Sequence, residues 1–547
     1  MNLKEELKTV LKGEVEDSPD ILQEYSRDAS LFELKPRLVV FPRDTEDVKS
    51  LVRFTKEHPE ENLSLTARAG GTDMTGGPLT QSIVVDMARH FNNILEIKNN
   101  RARVQPGVWY RDFEKKAAKQ NLLLPCYPAS KDICTLGGMV ANNAGGEKTL
   151  RYGKTEDYVI ELKIVLLDGE EHTVKPLSFQ ELKEKMAVEG FEGGFYQKIF
   201  KLVQEHKSLL ASVKPKVSKN SAGYYLWNVW DGATFDLTKL FVGSQGTLGI
   251  ITEITFTLVT PKKHSTLLVL FLYNFAPLAK LTQKLLKHKP ESLESYDDHT
   301  LQFAIMHIPD FIKLLKGNII TLAFQFIPEF IMFLKGGLKL PKLVVLAEFT
   351  GDSEEEVYKK AAAAKKDLAG FKALMRITRS DKEELKYMTV RRQSFNLLRH
   401  HVKGKRTAPF IDDIIVPPET LPEFLPKLQY ILAQHPKLVY TIVGHVGDGN
   451  FHIIPLMDLR KEENRILIPS LMEQVYKLVF EYGGSMTAEH NDGIIRTPFL
   501  EDMFGKEVVE LFSKTKQVFD SQGIFNPGKK TKGDVDFALS HISLKNK

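Results

Sequence analysis

Two histidines and a Glu-His pair have the residue types and the spacing of a site for a divalent cation. His445 and His452 flank an Asp-Gly dipeptide at 448–449, and Glu489 and His490 follow further along the chain. Because an Asp-Gly dipeptide between two apolar runs is typical of a β-hairpin, we expect the two histidines to lie side by side at the ends of two strands. Two imidazoles and one carboxylate bind zinc or manganese and leave one position open. The predicted metal ligands are therefore His445, His452 and Glu489.

His490 stands next to a predicted ligand and is free to point at a substrate, which makes it the candidate general base. A hairpin that carries two ordinary surface histidines is the alternative for His445 and His452 taken alone. The Glu489-His490 pair favours the metal site over this alternative. Asp448 and Asn450 are expected to shape the turn, since Asx side chains bond to their own turn backbone.

Two adjacent arginines, Arg391 and Arg392, lie on a charged helix predicted over 381–398, with a strand predicted after it over 410–417. A guanidinium group recognises a carboxylate by shape as well as by charge. We therefore predict that one of the two arginines fixes a substrate carboxylate, with Arg391 the first choice. A solvated or salt-bridged helix face is the alternative.

Three glycine-rich segments are suited to holding a long phosphorylated ligand. The first, 68–77, directly follows an apolar strand, and its four glycines leave backbone N–H groups free to approach phosphate oxygens. The second segment spans 128–157 and the third 243–251. The first segment matches neither the Rossmann glycine pattern nor a P-loop, and a mobile surface loop is its alternative interpretation.

Short runs of Val, Ile and Leu alternate with helical patterns along most of the chain. This alternation predicts α+β or α/β structure from about residue 35 to residue 260, and a further α+β unit from 261 to 480. The predicted strands outside the hairpin include 38–41, 63–67, 82–87, 102–104, 159–167, 249–258, 266–272 and 343–349. The predicted helices include 44–56, 277–287, 354–368 and 506–519.

Composition narrows the class of protein. A chain of 547 residues exceeds what one core usually supports, so at least two domains are expected. A net charge of +5 over this length gives no argument for nucleic acid as a partner. Cys126 and Cys134 match neither a zinc ribbon nor an iron-sulfur ligand set, and two thiols indicate a reducing compartment. With no apolar signal region and no run of membrane-span length, we expect a cytoplasmic protein.

The glycine segments carry a family resemblance. The first segment, Thr-Leu-Gly-Gly-Met at 135–139, Asn-Ala-Gly-Gly at 143–146 and Gly-Ser-Gln-Gly-Thr-Leu-Gly-Ile at 243–250 resemble the PCMH-type FAD-binding domain of the vanillyl-alcohol oxidase superfamily. The histidine hairpin and the Glu-His pair resemble the branch of that superfamily that contains D-lactate dehydrogenase, D-2-hydroxyglutarate dehydrogenase and the flavin chain of glycolate oxidase. The resemblance covers nearly the whole chain.

The resemblance implies an α+β fold with a two-subdomain PCMH-type FAD-binding domain and an α+β substrate (cap) domain with a ferredoxin-like sheet. The expected boundaries are an N-terminal helical arm over 1–34, the FAD-binding domain over 35–260, the substrate domain over 261–480 and a C-terminal segment over 481–547 that returns to the flavin. The segment 307–342 joins apolar faces to lysines. It is either a pair of core helices or a peripheral contact with the inner face of a membrane.

The same resemblance places a set of residues against FAD, which is expected to be non-covalent because Asp73 stands in the first loop and no histidine does. The set is Ala69, Gly70, Gly71, Thr72, Asp73, Met74, Thr75, Gly76, Pro128, Ser130, Thr135, Gly138, Asn142, Gly145, Gly246, Ile251 and Asn526. Gln245 departs from the glutamate usual in relatives. Asn491-Asp492 and Ile454 depart near the substrate, so no single relative's substrate can be copied.

The expected function is oxidation of a D-2-hydroxy acid to the 2-oxo acid by FAD, with a cation stabilising the alkoxide. D-lactate is the first substrate expected, ahead of glycolate and D-2-hydroxyglutarate. The expected electron acceptor is a quinone, a cytochrome or an electron-transfer flavoprotein. The alternatives are a non-redox transferase like alkylglycerone-phosphate synthase, or a flavin subunit that needs an iron-sulfur partner.

Overall fold

The computed structural model describes residues 2–306, 339–401 and 404–545 and has the predicted α+β fold. The predicted segment 307–342 therefore lies almost entirely outside the described residues. No helix in the described ranges combines the length and the apolar composition needed to span a bilayer.

The strands in the described ranges are β1 Glu14–Glu16, β2 Leu38–Phe41, β3 Leu65–Arg68, β4 Ile83–Asp86, β5 Ile94–Lys98, β6 Arg101–Val104, β7 Val159–Val165, β8 Glu171–Val174, β9 Pro176–Ser178, β10 Thr234–Asp236, β11 Ile250–Thr257, β12 His264–Leu272, β13 Ser292–Asp297, β14 Leu343–Gly351, β15 Leu374–Ile377, β16 Arg406–Thr407, β17 Ile414–Ile415, β18 Val439–His445 and β19 Asn450–Met457.

The α-helices in the same ranges are Leu3–Val10, Pro19–Tyr25, Thr45–Glu57, Tyr110–Ala118, Leu136–Asn142, Thr149–Tyr152, Phe179–Ala187, Phe191–Glu205, Lys207–Val213, Thr238–Phe241, Leu278–Lys287, Asp298–Met306, Glu354–Asp367, Asp381–His401, Leu421–Ala433, Glu462–Glu481, Gly493–Arg496, Leu500–Phe504, Lys506–Phe519 and Val535–Ser540.

Two sheets carry the glycine segments. The first has the order β1-β2-β4-β3, with β2, β3 and β4 parallel. Strands β2 and β4 are buried along their whole length, as expected for parallel strands covered on both faces. The second sheet is antiparallel, with the order β5-β6-β11-β7-β8. The first glycine segment leaves the end of β3, and the third segment leads into β11.

A larger sheet of eight strands carries the histidine hairpin. Its order is β15-β12-β14-β13-β18-β19-β16, and β17 also pairs with β19. The pairing is antiparallel, and the apolar residues of β12 and β14 lie buried on both faces of the sheet. In this order β13 lies directly beside β18, and the register of the two strands places Glu294 next to His445.

The C-terminal segment folds back onto the first sheet. The backbone N–H of Leu65 on β3 donates to Ile524 O, and the N–H of Asn526 donates to Leu65 O. The helix Lys506–Phe519 packs on Phe191–Glu205, with the rings of Phe195 and Phe519 5.4 Å apart. This return brings 524–530 against the strand from which the first glycine segment leaves.

Two local expectations differ from the structure. The arm predicted as helical also contributes β1, which pairs antiparallel with β2 and extends the first sheet. The strand predicted over 410–417 is regular only at β17, because the stretch before it turns to present two aspartates to the histidines. Asp413 has a positive φ of 66°, which a continuous strand does not allow.

Candidate functional site

Strands β18 and β19 form the predicted hairpin and place His445 and His452 on one face. The register pairs His445 with Asn450 and His452 with Val443, so the two histidines meet on the diagonal and not side by side. Their ring centroids are 5.3 Å apart. Both residues are buried, with 5% and 8% of their surface exposed, so they are not ordinary surface histidines.

Glu294 on β13 lies between His445 and Arg391. His445 Nδ1 lies 2.6 Å from Glu294 Oε1, and Arg391 Nε lies 2.6 Å from Glu294 Oε2. Burial opposes ionisation of Glu294, but the charges of Arg391 and His445 outweigh burial and lower the pKa of this carboxyl to about 2. Because Nδ1 of His445 is engaged, Nε2 is the ring nitrogen left to face a cation.

Asp412 contacts the other two histidines. Its Oδ1 lies 3.1 Å from His452 Nδ1, and its Oδ2 lies 2.8 Å from His490 Nδ1. The two imidazole rings stack, with centroids 5.1 Å apart and planes 24° apart. Asp412 is fully buried. The Nε2 atoms of His452 and His490 are therefore the ring nitrogens left to face the site.

Glu489 brings the third predicted ligand to the hairpin. Its Oε1 lies 3.5 Å from His445 Nε2 and 2.5 Å from the ammonium of Lys219. Lys219 is wholly buried and also lies 3.3 Å from Asp448 Oδ2. Burial opposes ionisation of Glu489, but the charges of Lys219 and His445 hold the pKa of this carboxyl well below its usual range.

Asp413 organises the loop that carries Glu489. Four residues, Asp413, His452, Glu489 and His490, offer ligand atoms that lie within 4.8 Å of one another. However, Asp413 Oδ2 already accepts from Thr487 Oγ1 and from the backbone N–H groups of Glu489 and His490. We therefore assign Asp413 to holding this loop and not to binding a cation.

The donor types fit a divalent cation, since two imidazole nitrogens and a carboxylate suit zinc or manganese. The cluster of ligand atoms within 4.8 Å of one another, however, contains His452, Glu489 and His490 and not the predicted ligand His445, whose Nε2 lies 3.5 Å from Glu489 Oε1. Burial opposes protonation of His490, but the charges of Asp413 and Asp412 outweigh burial and raise the pKa of His490 to about 9. A divalent cation beside this imidazole would oppose its positive charge and favour the neutral base.

The two arginines have different partners. Arg392 donates from Nε and Nη2 to the two carboxylate oxygens of Glu147, at 3.0 and 2.6 Å. Arg391 is buried, and its Nη2 has no hydrogen-bond partner among the described residues. A buried guanidinium with an unused donor suits a ligand carboxylate. The geometry thus favours Arg391 over Arg392 as the residue that contacts substrate.

The first glycine segment has the form of an anion cradle. Across the described part of the chain, the backbone N–H groups of residues 70–74 donate to no protein atom. Asp73 folds back, and its Oδ1 accepts from the N–H groups of Thr75 and Gly77. Gln245 lies close by, with its Nε2 3.5 Å from Asp73 Oδ2. Free, consecutive N–H groups are what a pyrophosphate requires, so the segment fits FAD.

The second glycine segment contacts the loop 487–491, which carries the predicted metal ligand Glu489. Asn142 Nδ2 donates to Glu489 O at 3.0 Å, and Asn142 Oδ1 is buried without a partner among the described residues. A Cβ added to Gly145 would lie 3.1 Å from Glu489 Oε1. Thr135 caps the helix Leu136–Asn142 by accepting from the N–H of Gly138. The predicted flavin and metal residues therefore adjoin.

The remaining predicted flavin residues lie around these two segments. Pro128 and Ser130 form tight turns through their carbonyl groups, and Ile251 lies on β11 opposite Ile164. Asn526 donates to Gly77 O and Gln245 O, which ties the first segment to the third at the turn that holds Gly246. Because the amide of Asn526 is used in these bonds, its direct contact with flavin stays a prediction.

Four site residues were missed from the sequence: Lys219, Glu294, Asp412 and Asp413. The Asp412-Asp413 pair did carry a signal, since two carboxylates inside an apolar run need buried partners. Lys219 and Glu294 carry no local signal, because each reaches the histidines only through the packing of distant strands and loops.

Two family models match this chain. One is described as FAD binding domain and matches residues 36–175; the other is described as FAD linked oxidases, C-terminal domain, and matches residues 261–530. Together they include the first two glycine segments, the histidine hairpin and the Glu-His pair. The chain therefore carries both domains of the FAD-linked oxidases, the FAD binding domain and the C-terminal domain.

Several curated relatives are similar over most of the chain. D-2-hydroxyglutarate dehydrogenase of Pseudomonas putida is 29% identical over 92% of this chain, but the chain spans only 49% of that relative's length. Glycolate oxidase subunit GlcD of Bacillus subtilis is 28% identical, with 92% and 91% of the two chains covered. D-lactate dehydrogenase of Anaerostipes hadrus is 26% identical, with 96% of each chain covered.

Solved structures share the fold at low sequence identity. The 4-ethylphenol oxidase from Gulosibacter chungangensis superposes with a TM-score of 0.67 at 17% identity over 98% of both chains. An alkyldihydroxyacetonephosphate synthase superposes with a TM-score of 0.65 at 16% identity, over 94% of this chain and 83% of that one. These similarities support the fold only.

Proposed function

We propose that this chain binds FAD non-covalently and zinc or manganese at His445, His452 and Glu489, and that it oxidises a D-2-hydroxy acid to the 2-oxo acid. The observation that carries the proposal is the closeness of Glu489 to the second glycine segment, where Asn142 Nδ2 donates to Glu489 O at 3.0 Å and a Cβ added to Gly145 would lie 3.1 Å from Glu489 Oε1. This closeness supports the proposal, because a cation bound at Glu489 would lie beside a predicted flavin contact and could stabilise the alkoxide.

The substrate would be held at its carboxylate by Arg391. Within the described residues, Nη2 of this buried guanidinium has no hydrogen-bond partner, while Nε lies 2.6 Å from Glu294 Oε2 in an ion pair. A carboxylate fixed in this way orients the α-carbon toward the flavin side of the site. Arg392, already bonded to Glu147, would support the helix and not contact the substrate.

His490 would take the hydroxyl proton at Nε2, since its Nδ1 faces Asp412. When bound, FAD supplies the acceptor for the α-hydrogen and its electron pair, and the cation supplies a Lewis acid for the developing alkoxide. Burial of His445, His452 and Glu489 keeps bulk water from these groups.

A small substrate such as D-lactate is favoured by Ile454. This residue follows His452 on the same face of β19 and is 6% exposed, so an apolar side chain stands near the ligand histidine. An isoleucine offers no hydrogen bond to a second carboxylate. The named relatives support a hydroxy acid substrate, since they include D-2-hydroxyglutarate dehydrogenases and a D-lactate dehydrogenase.

Anaerobic mixing tests the proposal. The purified, metal-loaded protein is mixed with D-lactate, L-lactate, glycolate and D-2-hydroxyglutarate, and bleaching of the flavin band is followed. We expect D-lactate to bleach the flavin fastest and L-lactate to leave it oxidised. If none of the acids bleaches it, the oxidation proposal fails, and the non-redox transferase becomes the better explanation.

Two further measurements address the cofactor and the acceptor. Acid precipitation should release all flavin into the supernatant, because no side chain is proposed to bond to it covalently. A dye acceptor should support turnover of the isolated chain, since the proposed physiological acceptor is an external quinone, cytochrome or electron-transfer flavoprotein. Turnover only after addition of an iron-sulfur protein would instead favour the flavin-subunit alternative.

A further inference from the structure

Asp412 occupies an unusual position for a single buried carboxylate. Its two oxygens face different histidines: Oδ1 lies 3.1 Å from His452 Nδ1 and Oδ2 lies 2.8 Å from His490 Nδ1. The first histidine belongs to the proposed ligand set and the second is the proposed base. We propose that Asp412 is a shared positioning residue that fixes both imidazoles with Nε2 toward the reacting centre, and this inference rests on the proposed function.

The position of Asp412 is itself fixed by the chain. The backbone carbonyl of Asp412 accepts from Nη2 of Arg496, which is wholly buried and also donates to Asn491 O. The next residue, Asp413, binds the backbone of the loop that carries Glu489 and His490. Arg496 and Asp413 thus hold the segment 412–413 and the loop 489–491 at a fixed separation.

Sharing one carboxylate has a geometric consequence. The rings of His452 and His490 stack with centroids 5.1 Å apart, and the Nδ1 atoms of both rings face the carboxylate of Asp412. An imidazole that donates from Nδ1 keeps its lone pair on Nε2, which is the form needed both for binding a cation and for accepting a proton. Asp412 Oδ1 is hydrogen-bonded to His452 Nδ1, and Asp412 Oδ2 forms an ion pair with His490 Nδ1, so one carboxylate favours the same orientation in both rings.

His445 is oriented independently, which gives an internal comparison. Its Nδ1 contacts Glu294 and not Asp412. Loss of the Asp412 carboxylate should thus disturb two of the three histidines and leave the third in place. By contrast, a purely structural role for Asp412 would disturb the whole fold of the substrate domain.

The test compares Asp412→Asn with Asp297→Asn. Both variants replace a buried aspartate by its isosteric amide, but Asp297 accepts from the backbone N–H and the hydroxyl of Thr300 and, in the described contacts, meets none of the three histidines. Zinc affinity is measured by competition with a chelator. Flavin reduction by D-lactate is then followed at saturating zinc, and the rate constant at saturating substrate is separated from the substrate Kd.

We expect Asp412→Asn to bind zinc about 10- to 100-fold more weakly, the usual effect of removing an outer carboxylate from a ligand histidine. At saturating zinc its reduction rate constant should fall about 100-fold, the scale of a misplaced general base, with substrate Kd and flavin content unchanged. Asp412→Glu should recover part of the rate, and Asp297→Asn should behave as wild type.

Unchanged zinc affinity or an unchanged rate constant in Asp412→Asn would overturn the shared role, as would an equal loss in Asp297→Asn. Failure of the proposed function is distinguishable from these results. If no hydroxy acid reduces the wild-type flavin, the oxidation proposal fails, while zinc affinity still decides whether Asp412 positions His452.

Discussion

Glu147 and Arg392 form a two-point ion pair between the second glycine segment and the helix Asp381–His401, with Nε to Oε2 at 3.0 Å and Nη2 to Oε1 at 2.6 Å. Burial opposes ionisation of Glu147, but the charge of Arg392 lowers the pKa of this carboxyl. The neighbouring Arg391 has a donor, Nη2, without a partner in the described part of the chain, so the two arginines should respond differently to substitution.

Arg391→Met should weaken substrate binding about 100-fold, on the order of 3 kcal/mol for a lost charge-assisted contact. Arg392→Met should raise the substrate Kd less than about tenfold, because its partner is Glu147 and its side chain is 42% exposed. Flavin reduction at increasing D-lactate concentration measures both. A larger effect from Arg392→Met would show that Arg392, and not Arg391, binds the substrate carboxylate.

His445→Ala and His452→Ala should each lose the bound metal and the activity while keeping FAD, because the glycine segments remain intact. Elemental analysis and the flavin absorbance of the purified variants check this. His288→Ala is the matched control, since this histidine lies in the same domain and pairs only with Asp367 in the described contacts. Unchanged metal content in both ligand variants would refute the site.

Lys148→Met should lower the free energy of unfolding by about 3–5 kcal/mol, the cost of leaving a buried ion pair broken. The Lys148 ammonium lies 2.5 Å from Glu291 and 3.5 Å from Glu348, and both carboxylates are largely buried. Lys262→Met is the control, because its ion pair with Asp352 is exposed and its loss should change the free energy of unfolding much less. Urea unfolding of the holoprotein measures both variants, and similar losses would contradict the assignment.

Asp28→Asn should become more stable relative to wild type as pH rises. Burial and then the charge of Asp73 raise the pKa of Asp28 to about 7. A carboxyl whose pKa is raised on folding contributes its full stability below the unfolded pKa of about 4 and loses that contribution as pH rises through the folded pKa. The free energy of unfolding of Asp28→Asn minus that of wild type should therefore increase by on the order of 2 kcal/mol between pH 5 and pH 8. A difference that does not change with pH, or that decreases, would contradict this prediction.

The regular parts of the fold were predictable because their signals are local. The hairpin, the helix Lys506–Phe519 and the strand Leu38–Phe41 follow from turn residues and apolar periodicity within the segment itself. The length of the strand after residue 410 was wrong. Its apolar pattern is strong, but the chain departs from regular strand pairing at Asp412, whose carboxylate contacts His452 and His490.

Only part of the candidate site could be predicted from the sequence. The histidines and Glu489 appear in short motifs, whereas Lys219 and Glu294 approach them from loops and strands far away in sequence. The distance between Glu294 and His445, for example, depends on how β13 packs beside β18, which no local sequence pattern encodes.

The hydrogen bonds between the second glycine segment and the loop 487–491 couple the binding of the two proposed cofactors. Asn142 Nδ2 donates to Glu489 O, and Asn491 Nδ2 donates back to Asn142 O and to Gly243 O. A proposed flavin contact and a proposed metal ligand thus belong to one bonded unit. Linkage is reciprocal, so whatever factor bound FAD adds to the affinity for the cation, the cation must add to the affinity for FAD.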